Sequence, residues 1–161
     1  MWKQSLRNFP PEVHPMNMAT QTQTVPNTYG AVTGSVSTLL RLEGLIAAVA
    51  SAVFYARTGA SWWLFAGLWL APDLSMLAYL KRPCLGARSY NTAHAYVLPG
   101  LLGLLGLLLH ANSLLPFALI WVNHIGVDRL LGYGLKYSDG FGFTHLGRLG
   151  KEPATSSPVR S

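Results

Sequence analysis

The chain has 161 residues, of which 50% are hydrophobic and only 11% charged, and its formal net charge is +6. Soluble domains carry about 25% charged residues, so this composition excludes a chain that covers itself with a polar surface. The single cysteine, Cys84, excludes an internal disulfide, and the basic residues flank apolar runs, which points to a membrane rather than to nucleic acid.

In chain order, residues 1–37 are polar, contain Pro, Thr and Gln, and hold no apolar run of signal-peptide length. They are predicted to form a disordered cytoplasmic tail, with Met1, Met16 or Met18 as the start. A membrane helix needs about 20 mostly apolar residues. Four windows qualify: Thr38–Tyr55, Ala60–Leu80, Tyr90–Leu109 and Leu114–Tyr133. The links at Arg57–Gly59 and His110–Ser113 are short and force antiparallel neighbours. The predicted fold class is therefore all-α, an integral membrane four-helix up-down bundle over residues 38–137. Gly100, Gly103 and Gly106 recur every three residues and offer a smooth packing face. Pro72 and Pro99 lie inside spans, and each releases a backbone carbonyl one turn earlier. Gly134 is suited to a left-handed helix cap. Residues 138–150 mix aromatic, apolar and basic side chains and read as an interfacial segment. Residues 151–161 read as a disordered tail.

Orientation follows from Lys and Arg. With four spans, Lys3, Arg7, Arg41, Lys81, Arg82, Arg88, Arg129, Lys136, Arg148, Lys151 and Arg160 share one face, and Arg57 alone lies on the other. Both termini are thus expected in the cytoplasm. The chain has six acidic residues, and Glu43, Asp73 and Asp128 fall inside the spans, as do His94 and His124. An Asp at a helix centre costs about 2.5–3.5 kcal/mol on insertion scales, so such residues are functional candidates. At 1.5 Å per residue, Asp73, His94, His124 and Asp128 lie roughly 6–14 Å from the cytoplasmic boundary, all in one half of the bilayer. His124 and Asp128 share a helix face, as do Asn91 and His94.

Two His and two carboxylates converging between helices suit a divalent transition metal, with zinc, manganese or iron as candidates. Asp73, His94, His124 and Asp128 are the candidate ligands, and His145 is a further one if the tail folds over the site. A structural alternative stands beside this. Arg41, Glu43, Asn91 and Arg129 form a polar network with them, Asp128 pairs with Arg129 or Arg41, and the histidines only cap carbonyls freed by the prolines.

Arg41-Leu-Glu-Gly44, Ala71-Pro-Asp-Leu-Ser-Met76, Asn91-Thr-Ala-His-Ala-Tyr96, His124-Ile-Gly-Val-Asp-Arg129, Gly132-Tyr-Gly-Leu-Lys-Tyr137 and Thr144-His-Leu-Gly147 together resemble a bacterial family of small integral membrane proteins, domain of unknown function 4260. The resemblance implies a four-span bacterial plasma-membrane protein with no assigned activity. A weaker resemblance is to membrane-bound metal-dependent hydrolases. Here Pro72-Asp-Leu-Ser75, His94 and the His124/Asp128 pair keep the order, and Ser75 stands where those proteins carry a second Asp.

Three functions stay open: a metal-dependent hydrolase acting on a membrane-associated substrate, a non-catalytic scaffold or accessory subunit, and a small transporter or proton relay. Expected partners are the lipid bilayer and either a second copy or another membrane protein, with no nucleic acid. Whether the chain is an enzyme is left open by its sequence.

Overall fold

The computed structural model describes residue 32, residues 34–137 and residues 143–148. The readings made for the far N-terminal tail, for residues 138–142 and for residues 149–161 lie outside the described residues. Four helical segments are long and apolar enough to cross a membrane: Gly34–Thr58, Trp62–Leu80, Pro83–Leu108 and Asn112–Leu131. The protein is an all-helical membrane bundle with one very small hairpin.

The first helix, α1 (Gly34–Thr58), extends beyond its apolar window at both ends. The second span is not one helix. It begins as α2 (Trp62–Leu68), capped by the Ser61 side chain on the Trp63 N–H, and continues as a 3-10 segment over Ala71–Leu80. The third span starts earlier than its hydropathy suggests, at Pro83. It divides into α3 (Pro83–Ala93) and α4 (Val97–Leu108). The fourth is α5 (Leu115–Leu131), entered through a short 3-10 turn, Asn112–Leu114.

Proline accounts for both interruptions. A proline has no N–H to offer the carbonyl four residues back, and its ring clashes with that carbonyl. The residue four before Pro72 is Leu68, where α2 stops. The residue four before Pro99 is Ala95, in the middle of the gap between α3 and α4. Non-helical backbone at membrane depth survives only where protein covers it. Here the Trp121 indole N–H donates to the Ala93 carbonyl at 2.6 Å, and Arg129 donates to the His94 carbonyl at 3.3 Å.

The last span is the hub: α5 packs on α1, on α4 and on α2, while α3 packs on the 3-10 segment. The backbones of α1 and α5 approach closely at Gly44 and Gly126. A Cβ at Gly126 would sit 2.7 Å from the Ala48 nitrogen and 2.8 Å from the Gly44 oxygen. The glycine triplet plays a lesser part than its spacing suggests. Gly106 and Gly103 face the fourth span, but Gly100 faces open space. Outward positions such as Val49, Phe54, Leu104 and Leu108 are exposed and apolar, as a lipid-facing surface requires.

Asn123 ties three spans at their centre. Its amide donates to the Ala48 carbonyl at 2.7 Å and to Ser51 at 3.3 Å, and its oxygen accepts from the Trp69 indole at 2.9 Å. At the far end, the Tyr55 hydroxyl donates to the Ser61 carbonyl at 2.6 Å, and the Tyr55 ring meets Trp62 and Phe65. That contact fixes the first link.

The fourth span ends at Gly132, not at Gly134. Gly132 has φ 91°, its N–H donates to the Arg129 carbonyl, and the Tyr133 N–H donates to the Asp128 carbonyl at 2.8 Å. This is the paired 5→2 and 6→1 bonding of a Schellman ending. Beyond it, β1 (Phe143–Thr144) and β2 (Gly147–Arg148) form an antiparallel hairpin, with Thr144 bridged to Lys136. Leu146 and Thr144 are buried. This part of the tail therefore packs onto the bundle itself.

Candidate metal centre

Each of the two proline breaks delivers a polar side chain to the bundle interior. Asp73 follows Pro72 in the 3-10 segment, and His94 stands at the end of α3, where the third span breaks. Opposite them, α5 presents His124 and Asp128 one turn apart. One donor atom from each of the four residues lies within 4.8 Å of all the others.

The individual distances are tight. His94 Nε2 lies 3.2 Å from His124 Nε2. It lies 3.3 Å from Asp73 Oδ1 and 3.4 Å from Asp128 Oδ2. His124 Nε2 lies 3.6 Å from Asp73 Oδ1 and 3.8 Å from Asp128 Oδ2. The two rings are buried, with side chains 3% and 1% exposed, while Asp128 is 16% and Asp73 33% exposed. The cluster is thus enclosed on the histidine side and reachable at Asp73.

A second layer holds this arrangement. His94 Nδ1 stands 3.0 Å from the Tyr90 carbonyl, which accepts a hydrogen bond but gives none. Nδ1 therefore carries a proton, and in the neutral ring the Nε2 lone pair faces the cluster. The Tyr90 ring stacks on His94 at 3.7 Å, and its hydroxyl donates to Asp128 Oδ2 at 3.3 Å. His124 packs edge-on against Trp69, and its Nδ1 has no hydrogen-bond partner among the described residues.

Around the mouth of the site lie the remaining polar residues. Asn91 clamps the backbone of Lys136, its amide donating to the Lys136 carbonyl at 2.8 Å and its oxygen accepting from the Lys136 N–H at 2.7 Å. The Lys136 ammonium then sits 4.7 Å from the centre of the Tyr90 ring. Burial pushes the Lys136 ammonium down from its ordinary range, against the opposing pull of Asp128 and Asp73. His145 is not brought into the group of four. Its Nδ1 accepts from the Leu135 N–H at 2.8 Å, and the Arg129 guanidinium stands 2.8 Å from its Nε2. Burial first, and Arg129 second, push His145 down from its ordinary value.

Among the described residues, Arg41, Glu43, Asn91 and Arg129 are not joined to one another by hydrogen bonds or ion pairs. Among the described residues the close histidine–carboxylate contacts join His94 and His124 to Asp73 and Asp128, and Arg41 and Glu43 are exposed. Glu43 lines a recess of about 260 Å³ with Tyr96, Arg129 and His145, while Arg41 approaches Gly132. Nor do the histidines cap the carbonyls that the prolines release. Trp121 and Arg129 satisfy the carbonyls at the break in the third span, and His94 turns back to Tyr90. Tyr90 and Lys136 escaped the sequence reading. Tyr90 opens the apolar window of the third span and Lys136 follows that of the fourth, where an aromatic or a lysine reads as the ordinary interfacial residue.

Fold and site together define a four-span helical membrane protein with a His/Asp cluster between the second, third and fourth spans. The chain belongs to the family described as domain of unknown function DUF4260, whose pattern matches residues 37–149 and so includes every residue of the cluster. No curated protein and no solved structure matches the chain.

Proposed function

We propose that this is a membrane-embedded metalloprotein that holds a divalent ion with Asp73, His94, His124 and Asp128, and that it acts as a hydrolase on a membrane-associated substrate. The spacing of the four donor atoms carries this reading. Metal–ligand bonds of about 2.0–2.1 Å in a tetrahedral site imply ligand–ligand edges of about 3.3–3.4 Å. Five of the six edges run from 3.2 to 3.8 Å, and the sixth, between the two carboxylates, lies within 4.8 Å. Two carboxylates and two neutral imidazoles balance a divalent charge, and that donor set suits zinc, manganese or iron. The Tyr90 carbonyl behind His94 is the outer partner that metal-bound histidines usually have.

Such an ion supplies Lewis acidity toward a phosphate or carbonyl oxygen and makes bound water more acidic. The protein's own residues position the reaction. Tyr90 orients both His94 and Asp128, and Asp73 leaves the cluster reachable from outside. Hydrolysis would split an ester or phosphoester, the oxygen of water going to the acyl or phosphoryl group and a proton to the departing alcohol.

A second reading, a scaffold whose cluster fixes helix packing, is favoured by the close mutual contacts of the four side chains and by the Asn123 ties between spans. A transporter or proton relay finds less support, because Leu68, Leu102, Leu114 and Phe117 line the interior on the side of the cluster away from the termini. We place the protein in a bacterial plasma membrane with both termini cytoplasmic, on the strength of its Lys and Arg distribution. Cys84 is exposed beside the Lys81–Arg82 link, so a membrane-impermeant maleimide should label it only from the cytoplasmic side.

Elemental analysis of the detergent-purified protein tests the central claim. Wild type should carry a near-stoichiometric transition metal that Asp128→Asn and His124→Ala both lose. Well-folded wild type that stays metal-free after supplementation would leave the scaffold as the better account.

A further inference from the structure

Beside the cluster, on its side away from the chain termini, lies a cavity of about 570 Å³. It runs between the second, third and fourth spans, with Leu68, Pro72, Leu102, Phe117, Ile120 and Trp121 among its walls. Its volume falls in the range of small-molecule sites, about 300–1,000 Å³. It shares walls with the cluster, because Pro72 precedes Asp73 and Ala93 precedes His94.

Ser75 is the one hydroxyl-bearing residue among its lining residues, and the Trp121 indole N–H is already bound to the Ala93 carbonyl. The Ser75 hydroxyl oxygen is buried and has no hydrogen-bond partner among the described residues. A buried hydroxyl without a partner is costly, and at hydrocarbon depth no water is at hand to satisfy it.

We infer that this cavity holds one acyl chain of a phospholipid from the leaflet on the side of the termini, with the ester region near Ser75 and the headgroup toward the cluster. Three observations support this occupant. The walls lie within the membrane-crossing segments, where lipid chains are the available apolar species. The polar end of the cavity and the polar side of that leaflet coincide. Arg129, at the His94 carbonyl beside the cluster, suits an anionic headgroup. The inference rests on the proposed hydrolase reading for its consequence, namely that the substrate is an acyl lipid, but the binding itself can be tested without metal.

The experiment uses full-length protein, delipidated in detergent and given dioleoyl phosphatidylglycerol, with bound lipid read by native mass spectrometry and metal read in parallel. Wild type should retain a single phospholipid. Ala71→Phe and Leu102→Trp, which fill the cavity from two walls, should lose it while keeping the metal. Retention of lipid by both filled variants would overturn the inference. Lipid binding that behaves as expected in protein that never holds metal would remove the hydrolase reading and leave the cavity assignment standing. If neither variant folds, wild type in vesicles of phosphatidylglycerol carrying a diazirine on the acyl chain decides the matter. Adducts concentrated on Pro72, Ser75, Ile120 and Trp121 support the cavity. Adducts spread evenly over outward residues such as Leu104 and Leu108 refute it.

Discussion

His94 and His124 meet Nε2 to Nε2 at 3.2 Å across a sequence separation of 30 residues. Two imidazole nitrogens at that distance need something between them, a proton or a cation, since two lone pairs facing each other repel. The Tyr90 carbonyl fixes the His94 proton on Nδ1, so the central position lies among the two Nε2 atoms and the carboxylates of Asp73 and Asp128.

Tyr90→Phe separates a metal site from a packing cluster. It keeps the ring that stacks on His94 and removes only the hydroxyl on Asp128. Outer-shell partners of metal ligands are worth about 10–100-fold in affinity. The variant should therefore release its metal to a chelator at a lower concentration than wild type, with thermal stability nearly unchanged. A shift in stability without any shift in chelator competition would argue for packing alone.

Gly44→Ala and Gly126→Ala should both open the α1–α5 contact. The added Cβ at Gly44 would lie 2.5 Å from the Arg129 Cβ and 2.8 Å from the Gly126 oxygen, so backbone rather than a flexible side-chain tip must move. Overpacking of this kind costs about 1–3 kcal/mol. Gly100 faces open space, and Gly100→Ala should be neutral or stabilising by about 0.5–1 kcal/mol through helix propensity. Thermal unfolding in detergent checks the contrast. Equal effects at all three positions would contradict the packing described.

Asn91→Leu should release the segment after the fourth span. Its amide makes both hydrogen bonds to the Lys136 backbone, and the substitution leaves those groups without their partner. Each bond is worth about 1 kcal/mol, with more lost if the backbone groups stay buried. Limited proteolysis between residues 133 and 137 should speed up, and hydrogen exchange at Lys136 should lose protection. Unchanged protection would show that the hairpin alone holds the segment.

Acidification should undock the hairpin. His145 sits with its Nδ1 accepting from Leu135 and with the Arg129 cation at Nε2, and its pKa is lowered from the ordinary 6.5. The sign follows from linkage: the undocked tail takes up a proton more readily than the docked one. Docking is therefore at full strength above the ordinary value and weakens as pH falls from 6.5 toward the lowered one. Protease sensitivity of the 133–148 region should rise on going from pH 8 to pH 5, and His145→Gln should flatten that dependence. A pH response that survives in His145→Gln would place the switch elsewhere.

The sequence by itself determined the number of spans, their antiparallel order and the similar depth along them of Asp73, His94, His124 and Asp128. Apolar length, link length and helical rise are local quantities, and they suffice for these. It also determined that Pro72 and Pro99 disturb their helices one turn earlier, because the missing N–H and the ring clash belong to proline itself. Tertiary structure alone decided which spans touch. The Gly44–Gly126 contact joins residues far apart in the chain, whereas the regular glycine triplet suggested a different face. It alone turned four residues at one depth into a cluster within 4.8 Å, since depth says nothing about rotation around a helix axis. It also took His145 away from that cluster and gave it to Arg129, and it brought in Tyr90 and Lys136. The placing of His145 and Lys136 depends on the path of the chain after Gly132, for which a left-handed residue leaves no periodic signal, and that of Tyr90 on the rotation of α3.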